Sequence, residues 1–409
     1  MPQAAQDGID SWRGCCIFCN NNLTEDTRRE HVLLNALGGR KTTTTADCSH
    51  CNETFGCSID RTMADEVKSL RNLFQMRSGD GELPPALNNI LSSQGPINFK
   101  PDGAPHQKRK PFVVIKRESS VEVNFNVSSD EELAFYIPHA AAQAGVSEDV
   151  LWNGLQSKPG TLRTLYPGKT QFKFECKQIN SQRSMVKSCM VLLATITRND
   201  QLKGPAFAAV RDFIFGKNET IGCGRINTDG RLMPQPAYDY LNNTYGPLFN
   251  LIYVKSDARG RTVAYFRLYN IYTWQFVLSE SEGPKNIEIA LASNSLDNEV
   301  WSDDVAKEIS LSFDWLDSPN NTGSLETCKR QLEMAFKFYE DRARSQLCEK
   351  IVREVIEKHY SDGDRIEMDK RGELAVNEII TKLMLSMLQI PRSEEIFISR
   401  PSSESNEPG

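Results

Sequence analysis

Apolar residues recur along this chain with two different periods, and the changes of period divide it. Ile59, Met63, Val67, Leu70 and Phe74 share one helical face, which predicts a helix from Ile59 to Phe74. A passage rich in Gly, Pro, Ser and Asn follows from 78 to 111. The period then drops to two: Phe112–Ile115 and Val121–Val127 (VEVNFNV) read as strands. Helical spacing returns over Asp130–Gln143 and Glu148–Gln156, and Gln171–Glu175 (QFKFE) reads as a further strand. Ser184–Thr197 and Ala206–Phe215 predict two more helices, the second stopped by Gly216. Three apolar strands come next, Phe249–Val254, Val263–Tyr269 and Trp274–Leu278, with gaps short enough for a meander. Leu325–Leu347, Glu349–His359 and Leu374–Leu388 are helical in spacing, after which hydrophobicity falls away.

This patterning predicts an α+β protein in six stretches. They are a flexible leader over 1–14, a compact module over 15–77 and a linker over 78–111. An α+β domain over 112–290, a mostly helical C-terminal region over 291–394 and a disordered tail over 395–409 complete the chain. The aromatic residues Tyr265, Tyr269, Tyr272 and Trp274 are expected in a core rather than stacked on bases. The short basic run Lys108-Arg109-Lys110 is expected to be a solvated part of the linker.

Composition narrows the class without naming a chemistry. With 39% hydrophobic and 25% charged residues and a mean hydropathy of -0.46, the 409-residue chain falls among soluble globular proteins. No apolar run reaches the ~20 residues of a membrane helix, and the polar start MPQAAQDGIDSWRG is no secretory signal. The expectation is a cytoplasmic protein with no membrane partner. A net charge of -6 argues against indiscriminate coating of nucleic acid while leaving room for a local basic surface.

Cysteine usage changes the picture. Six of the eleven cysteines (15, 16, 19, 48, 51 and 57) crowd into the first 57 residues, and four of them make two Cys-x-x-Cys pairs. In a reducing compartment such pairs mean metal rather than disulfides. Cys16, Cys19, Cys48 and Cys51 are expected to hold a structural Zn²⁺, closed to water by four protein ligands. Cys15, His50 or Cys57 are alternatives for one of the four. Between the pairs lies a polar insert: Glu30-His31 opens the apolar run VLLNAL, Gly38-Gly39 marks a tight turn, and Thr42–Thr45 follow. Asn52 stands directly after the second pair, and Arg28, Arg29, Arg40 and Lys41 flank the insert as candidate phosphate contacts.

The string C-x-x-C, E-H, L-G-G, C-x-x-C-N, F-G, I-D resembles the HNH endonuclease family, in its cysteine-flanked branch. The match spans about 16–60, with a softer likeness in MVKSCMVLLATIT and VRDFIFG to the family's frequent C-terminal extension. The resemblance implies a zinc-stapled ββα-metal finger that hydrolyses phosphodiester bonds. It makes His31 the general base, and Glu30 and Asn52 ligands of a catalytic Mg²⁺ or Mn²⁺. Asp60 belongs to the look-alike string as a supporting residue. The sequence departs from the family where the central Asn would orient the histidine; that neighbourhood here is Thr42–Asp47, with Thr43 the candidate supporting residue. The implied partner is nucleic acid, specifically double-stranded DNA. Further expectations are a homodimer, an activating ligand or protein for the C-terminal region, and a microbial restriction or defence role. The competing reading is a non-catalytic, zinc-dependent nucleic-acid-binding or interaction module.

Overall fold

The computed structural model describes residues 14–396, apart from 94, 108–109, 128–129, 158–159, 164–168, 173–177, 199, 222–226, 229–232, 318–323, 362–363, 366, 368 and 388–392. The expected leader up to residue 13, the tail from 397, Lys108-Arg109 and most of the strand expected at Gln171–Glu175 lie outside the described residues. The architecture is mixed α+β and divides into two compact units. One comprises Met1–Leu87, Phe99–Ala104 and Phe172–Ala343; the other comprises Asn88–Asn98, Pro105–Gln171 and Arg344–Gly409.

In the first unit a six-stranded antiparallel sheet is the platform. Its strands run in the order Trp301–Ser302, Glu288–Asn294, Phe249–Ser256, Thr262–Leu268, Tyr272–Ser279 and Asn227–Thr228. The three central strands are the expected meander, with Leu251 opposite Arg267 and Phe266 opposite Trp274. Alternation sends Ile252, Val254, Phe266 and Phe276 to one face and Leu251, Tyr253, Val263 and Tyr265 to the other. Both faces are covered. The helix Gln235–Tyr245 lies on the second face through Ala237, Leu241 and Tyr245. The first face carries the helix Ile179–Thr197 and, in the same continuous core, the N-terminal finger. Tyr265, Tyr269 and Trp274 are buried, as expected of a core.

The finger is built from the hairpin Glu30–His31 with Thr42–Thr43 and the helix Ser49–Cys57. The predicted helix from Ile59 to Phe74 is two segments, Ile59–Glu66 and Lys68–Leu73, hinged at Val67 with φ -96° and ψ 0°. All five apolar positions of that stretch are nonetheless buried. Phe74 continues the core onto Phe336 and Tyr339 of the helix Ser324–His359, with ring centroids 5.1 and 5.3 Å away.

In the second unit, Phe112–Lys116 and Val121–Phe125 form a hairpin with Phe112 opposite Phe125. The helices Asp130–Ala144 and Glu148–Gln156 bury Leu133, Ile137 and Trp152 together. The helix Lys370–Met387 packs Ala375 and Ile379 onto Val355 and Tyr360. Two expectations meet a different organisation here. The span 112–290, read as one α+β domain, is shared between both units, and its expected end at 290 falls inside the strand Glu288–Asn294. Leu325–Leu347 and Glu349–His359 are not two helices but one of 36 residues, Ser324–His359. Among the described residues no helix is long and apolar enough to cross a membrane.

Candidate functional site

The cysteine cluster comes from two local turns. After Cys16 the chain folds back through Asn20, whose φ of 64° places it in the left-handed region that Asn tolerates, and the Cys16 amide donates to Asn21 O at 2.8 Å. This tight turn sets Cys19 back beside Cys16. The second pair lies on the start of the helix Ser49–Cys57: Cys48 caps it in an extended conformation and Cys51 is in its first turn. The sulfurs of Cys16, Cys19, Cys48 and Cys51 all lie within 4.8 Å of one another, with Cys19 and Cys48 at 3.5 Å. A tetrahedral zinc with bonds of about 2.3 Å requires sulfurs about 3.8 Å apart, so this group can hold one zinc ion. The Cys51 thiol donates to Cys16 and holds it down at about 5, as in a group ready to lose protons to a metal. Cys57 and His50 are exposed and Cys15 donates to Asn22 Oδ1 at 3.3 Å, so none of the three alternatives joins the cluster. Phe18, Phe55 and Phe215 back it, with ring centroids 5.0 to 6.4 Å apart.

The insert between the pairs forms the wall of a separate cleft. The apolar run ends in a short 3-10 turn, Asn35–Leu37, closed by Gly38 at φ +87°. A Cβ on Gly39 would stand 1.7 Å from the Leu33 carbonyl oxygen, so the backbone crossing here admits only glycine. The hairpin pairs Glu30 with Thr43 and His31 with Thr42. Strand alternation then turns the two neighbours apart: Glu30 is buried at 6% exposure, while His31 is half-buried. His31, Glu30, Asn52 and Asp60 all line one cleft of about 370 Å³, together with Asn35 and Arg61. Sequence reasoning placed four of these six at the site; Asn35 and Arg61 it did not.

Glu30 and Asp60 are joined by a residue far along the chain. The Lys187 ammonium donates to Glu30 Oε1 at 2.6 Å and to Asp60 Oδ2 at 2.5 Å. Ser184 Oγ donates to Asp60 Oδ1 at 2.6 Å, and Ser181 Oγ donates to Glu66. All three donors are fully buried on the helix Ile179–Thr197. Burial alone would lower the Lys187 pKa, but Asp60 and Glu30 overturn that and hold it above the ordinary ammonium range. Burial lifts Glu30 above the usual carboxylate range, with Lys187 pulling it back and Asp60 adding to the rise. Breaking such a buried ionic group by removing one member costs about 3–5 kcal/mol.

His31 is pushed below the usual imidazole range by burial; Asp80 opposes this and Lys187 reinforces it. Asp80 is itself held at the cleft by Asn35, whose Nδ2 donates to Asp80 Oδ2 at 2.7 Å. A neutral imidazole at neutral pH is the form that can accept a proton. The candidate support from Thr43 does not reach it: the Thr43 hydroxyl is taken by Thr45, 2.9 Å from its hydroxyl and 3.1 Å from its amide. Asn52 Nδ2 donates to Arg29 O at 3.2 Å, which fixes the amide and turns its oxygen to other partners. That oxygen and the second Glu30 carboxylate oxygen are hard donors of the kind a Mg²⁺ or Mn²⁺ selects, and both residues line the cleft.

The four flanking cations split. Arg28 and Arg29 are exposed, whereas Arg40 pairs with Glu299 at 2.9 Å and Lys41 with Asp303 at 2.8 Å. Asp47, beside the second cysteine pair, is fully buried with no partner for either carboxylate oxygen. Lys187, Ser184 and Ser181 were missed by the sequence reading as well. Their signal was there, since polar side chains at 181, 184 and 187 make a stripe of period three that runs into the apolar turns from Met190 to Ala194.

Residues 16–68 match the family model for HNH endonuclease. No curated protein and no solved structure matches the chain.

Proposed function

With residues 16–68 a cysteine-flanked HNH endonuclease domain, we propose that the chain is a metal-dependent nuclease and that the cleft beside the cysteine cluster is its active site. One observation carries the reading: His31, Glu30 and Asn52, separated by a zinc pair in sequence, line a single cleft away from the four thiols. His31 is the general base, its neutral imidazole taking a proton from the attacking water. Glu30 and Asn52 hold a divalent cation through their side-chain oxygens. When bound, that cation supplies Lewis-acid stabilisation of the scissile phosphate and of the departing 3′ oxygen. The four cysteines hold zinc and keep the helix Ser49–Cys57, and with it Asn52, in place. Arg28 and Arg29 are free to contact backbone phosphates, whereas Arg40 and Lys41 would first have to leave their partly exposed ion pairs.

The substrate we assign is double-stranded DNA. One finger cuts one strand, so two copies acting together account for double-strand cleavage. The second unit is the place for recognition or regulation by an activating ligand or protein, in a cytoplasmic enzyme of microbial restriction or defence. The test is cleavage of plasmid by the pure protein in EDTA and then with Mg²⁺ or Mn²⁺, beside His31→Ala. The expected result is metal-dependent cleavage that the variant loses by about 10²–10⁴-fold with its zinc content intact. Cleavage that persists in His31→Ala overturns the base. DNA retention without cleavage under any metal favours the non-catalytic binding module.

A further inference from the structure

The helix Ile179–Thr197 lies outside the family match, yet three of its residues reach acidic groups of the finger. Lys187 is 157 positions from Glu30 and 127 from Asp60, and Ser184 is 124 from Asp60. Stability alone does not call for this arrangement. A buried ionic triad is generally no more stable than apolar side chains of the same volume, and beyond Ser188 the buried length of this helix is apolar: Met190, Val191, Leu192 and Leu193 are all fully buried. The polar stripe lies where the helix meets Glu30, Asp60 and Glu66.

We propose that Lys187 is a positioning residue that sets the charge of the cleft, holding Glu30 and Asp60 as a pair so that a bound divalent cation leaves the site attractive to a phosphodiester. The proposal rests on reading the cleft as a cation-dependent nuclease site. Two carboxylates and one ammonium carry a net charge of -1. His31 as a neutral imidazole and Asn52 add nothing, and the two other charged residues at the cleft, Arg61 and Asp80, are opposite in sign and cancel. A divalent cation then brings the cleft to one positive charge, which a phosphodiester neutralises. Without the ammonium, two carboxylates and the cation would cancel, and nothing would remain to draw in the phosphate. The ammonium also takes Glu30 Oε1, which leaves the other carboxylate oxygen as the one offered to the cleft, and it keeps Asp60 turned toward the helix. Asp60 thereby tunes the site without ligating the cation itself.

The experiment is a charge series read by Mn²⁺ binding, using calorimetry and electron paramagnetic resonance on the full-length, zinc-loaded protein in neutral buffer. Asp60→Asn raises the cleft charge by one, Lys187→Met lowers it by one, and the double variant restores the natural value. Lys187→Met is expected to bind Mn²⁺ about tenfold or more tightly while cutting DNA more slowly. Asp60→Asn is expected to bind about tenfold or more weakly, and the double variant within about threefold of the unaltered protein. If Lys187→Met does not fold, Asp60→Asn and the charge-matched double variant carry the test. A folded Lys187→Met with unchanged or weaker affinity overturns the proposal, because a purely structural lysine does not tighten cation binding when removed. A double variant as weak as Asp60→Asn also overturns it, by making Asp60 a direct ligand. An unaltered protein that binds no Mn²⁺ or Mg²⁺ removes the nuclease reading itself. One that binds and cuts, with affinities indifferent to this series, removes only the role of Lys187.

Discussion

The cysteine cluster and the cleft share the helix Ser49–Cys57 and use it in opposite ways. Cys48 and Cys51 turn inward from its first turn to meet Cys16 and Cys19, while Asn52, the next residue, faces the cleft. The cluster is made of soft, like donors from two short segments and closes on itself. The cleft is made of unlike groups, an imidazole, carboxylates and an amide with a buried ammonium behind them, and it is open to solvent on one side. The first can be complete with four ligands from 36 residues of chain. The second is incomplete without a helix that begins more than a hundred residues later. A metal that only holds structure needs a local frame; a site that has to balance charge draws on the whole core.

The largest effect should come from the closed side. Cys51→Ser, or zinc extraction with a strong chelator, removes a contribution of about 10–16 kcal/mol in small zinc modules, comparable to the entire stability of an ordinary domain, about 5–15 kcal/mol. The expected outcome is loss of one bound zinc per chain by elemental analysis, protease cutting within 16–68, and loss of cleavage through displacement of Asn52. Full cleavage by a zinc-free protein would break the division of labour between the two sites.

A smaller effect separates the two sites at their boundary. Asp47 lies next to Cys48, is fully buried and has no partner for either oxygen. Burial, then the charge of Glu30, pushes its carboxyl up to about 8, so it is protonated in the folded protein at neutral pH. The folded pKa stands above the unfolded one, so this group's contribution to stability is full below the unfolded value of about 4. It falls as pH rises from there through about 8. An amide of the same shape escapes that loss. Asp47→Asn is therefore expected to stabilise the protein by about 1–2 kcal/mol more in mildly alkaline than in mildly acidic buffer, seen as a melting-temperature gain of a few degrees. An equal shift at both pH values would mean that the boundary is wetter than its burial indicates.

The same contrast decides what was legible in the sequence. The four clustered cysteines, Glu30, His31 and Asn52 stand within 37 positions of one another, in turns whose glycines and cysteines announce themselves. Lys187 acts across more than a hundred residues, and the helix that carries it was expected to begin at Ser184 because Asn180, Ser181, Gln182 and Arg183 look like loop. They are helical because Ser181 has Glu66 to bond and Arg183 has Asn180. The strand Glu288–Asn294 escaped for a related reason. Ala290 and Ala292, which face the helix Gln235–Tyr245, carry little strand propensity, and only the packed sheet selects their conformation. The helix expected from Ile59 was right in its buried face and wrong in its continuity, because spacing records which side is apolar and not a local hinge at Val67.

The smallest effect is read on the open side. Burial holds His31 below the ordinary imidazole value of about 6.5. A general base at His31 would be active as the neutral ring, so the acid limb of kcat/KM should inflect below that value, with activity lost only as pH falls through the lowered pKa. Asp80 is the group that works against this depression, and Asn35 holds it in place. Asp80→Asn removes a negative charge that favours the imidazolium and should move the inflection to lower pH still, by a fraction of a unit, with little change in the plateau rate. The stability consequence has the same sign. An imidazole that resists protonation when folded makes the protein less stable as pH falls below the unfolded value, and the variant steepens that loss. An inflection at or above the ordinary imidazole value, unmoved by Asp80→Asn, would show His31 behaving as a surface histidine. The cleft would then lack the partial burial that distinguishes His31 from the exposed His50, 19 residues beyond.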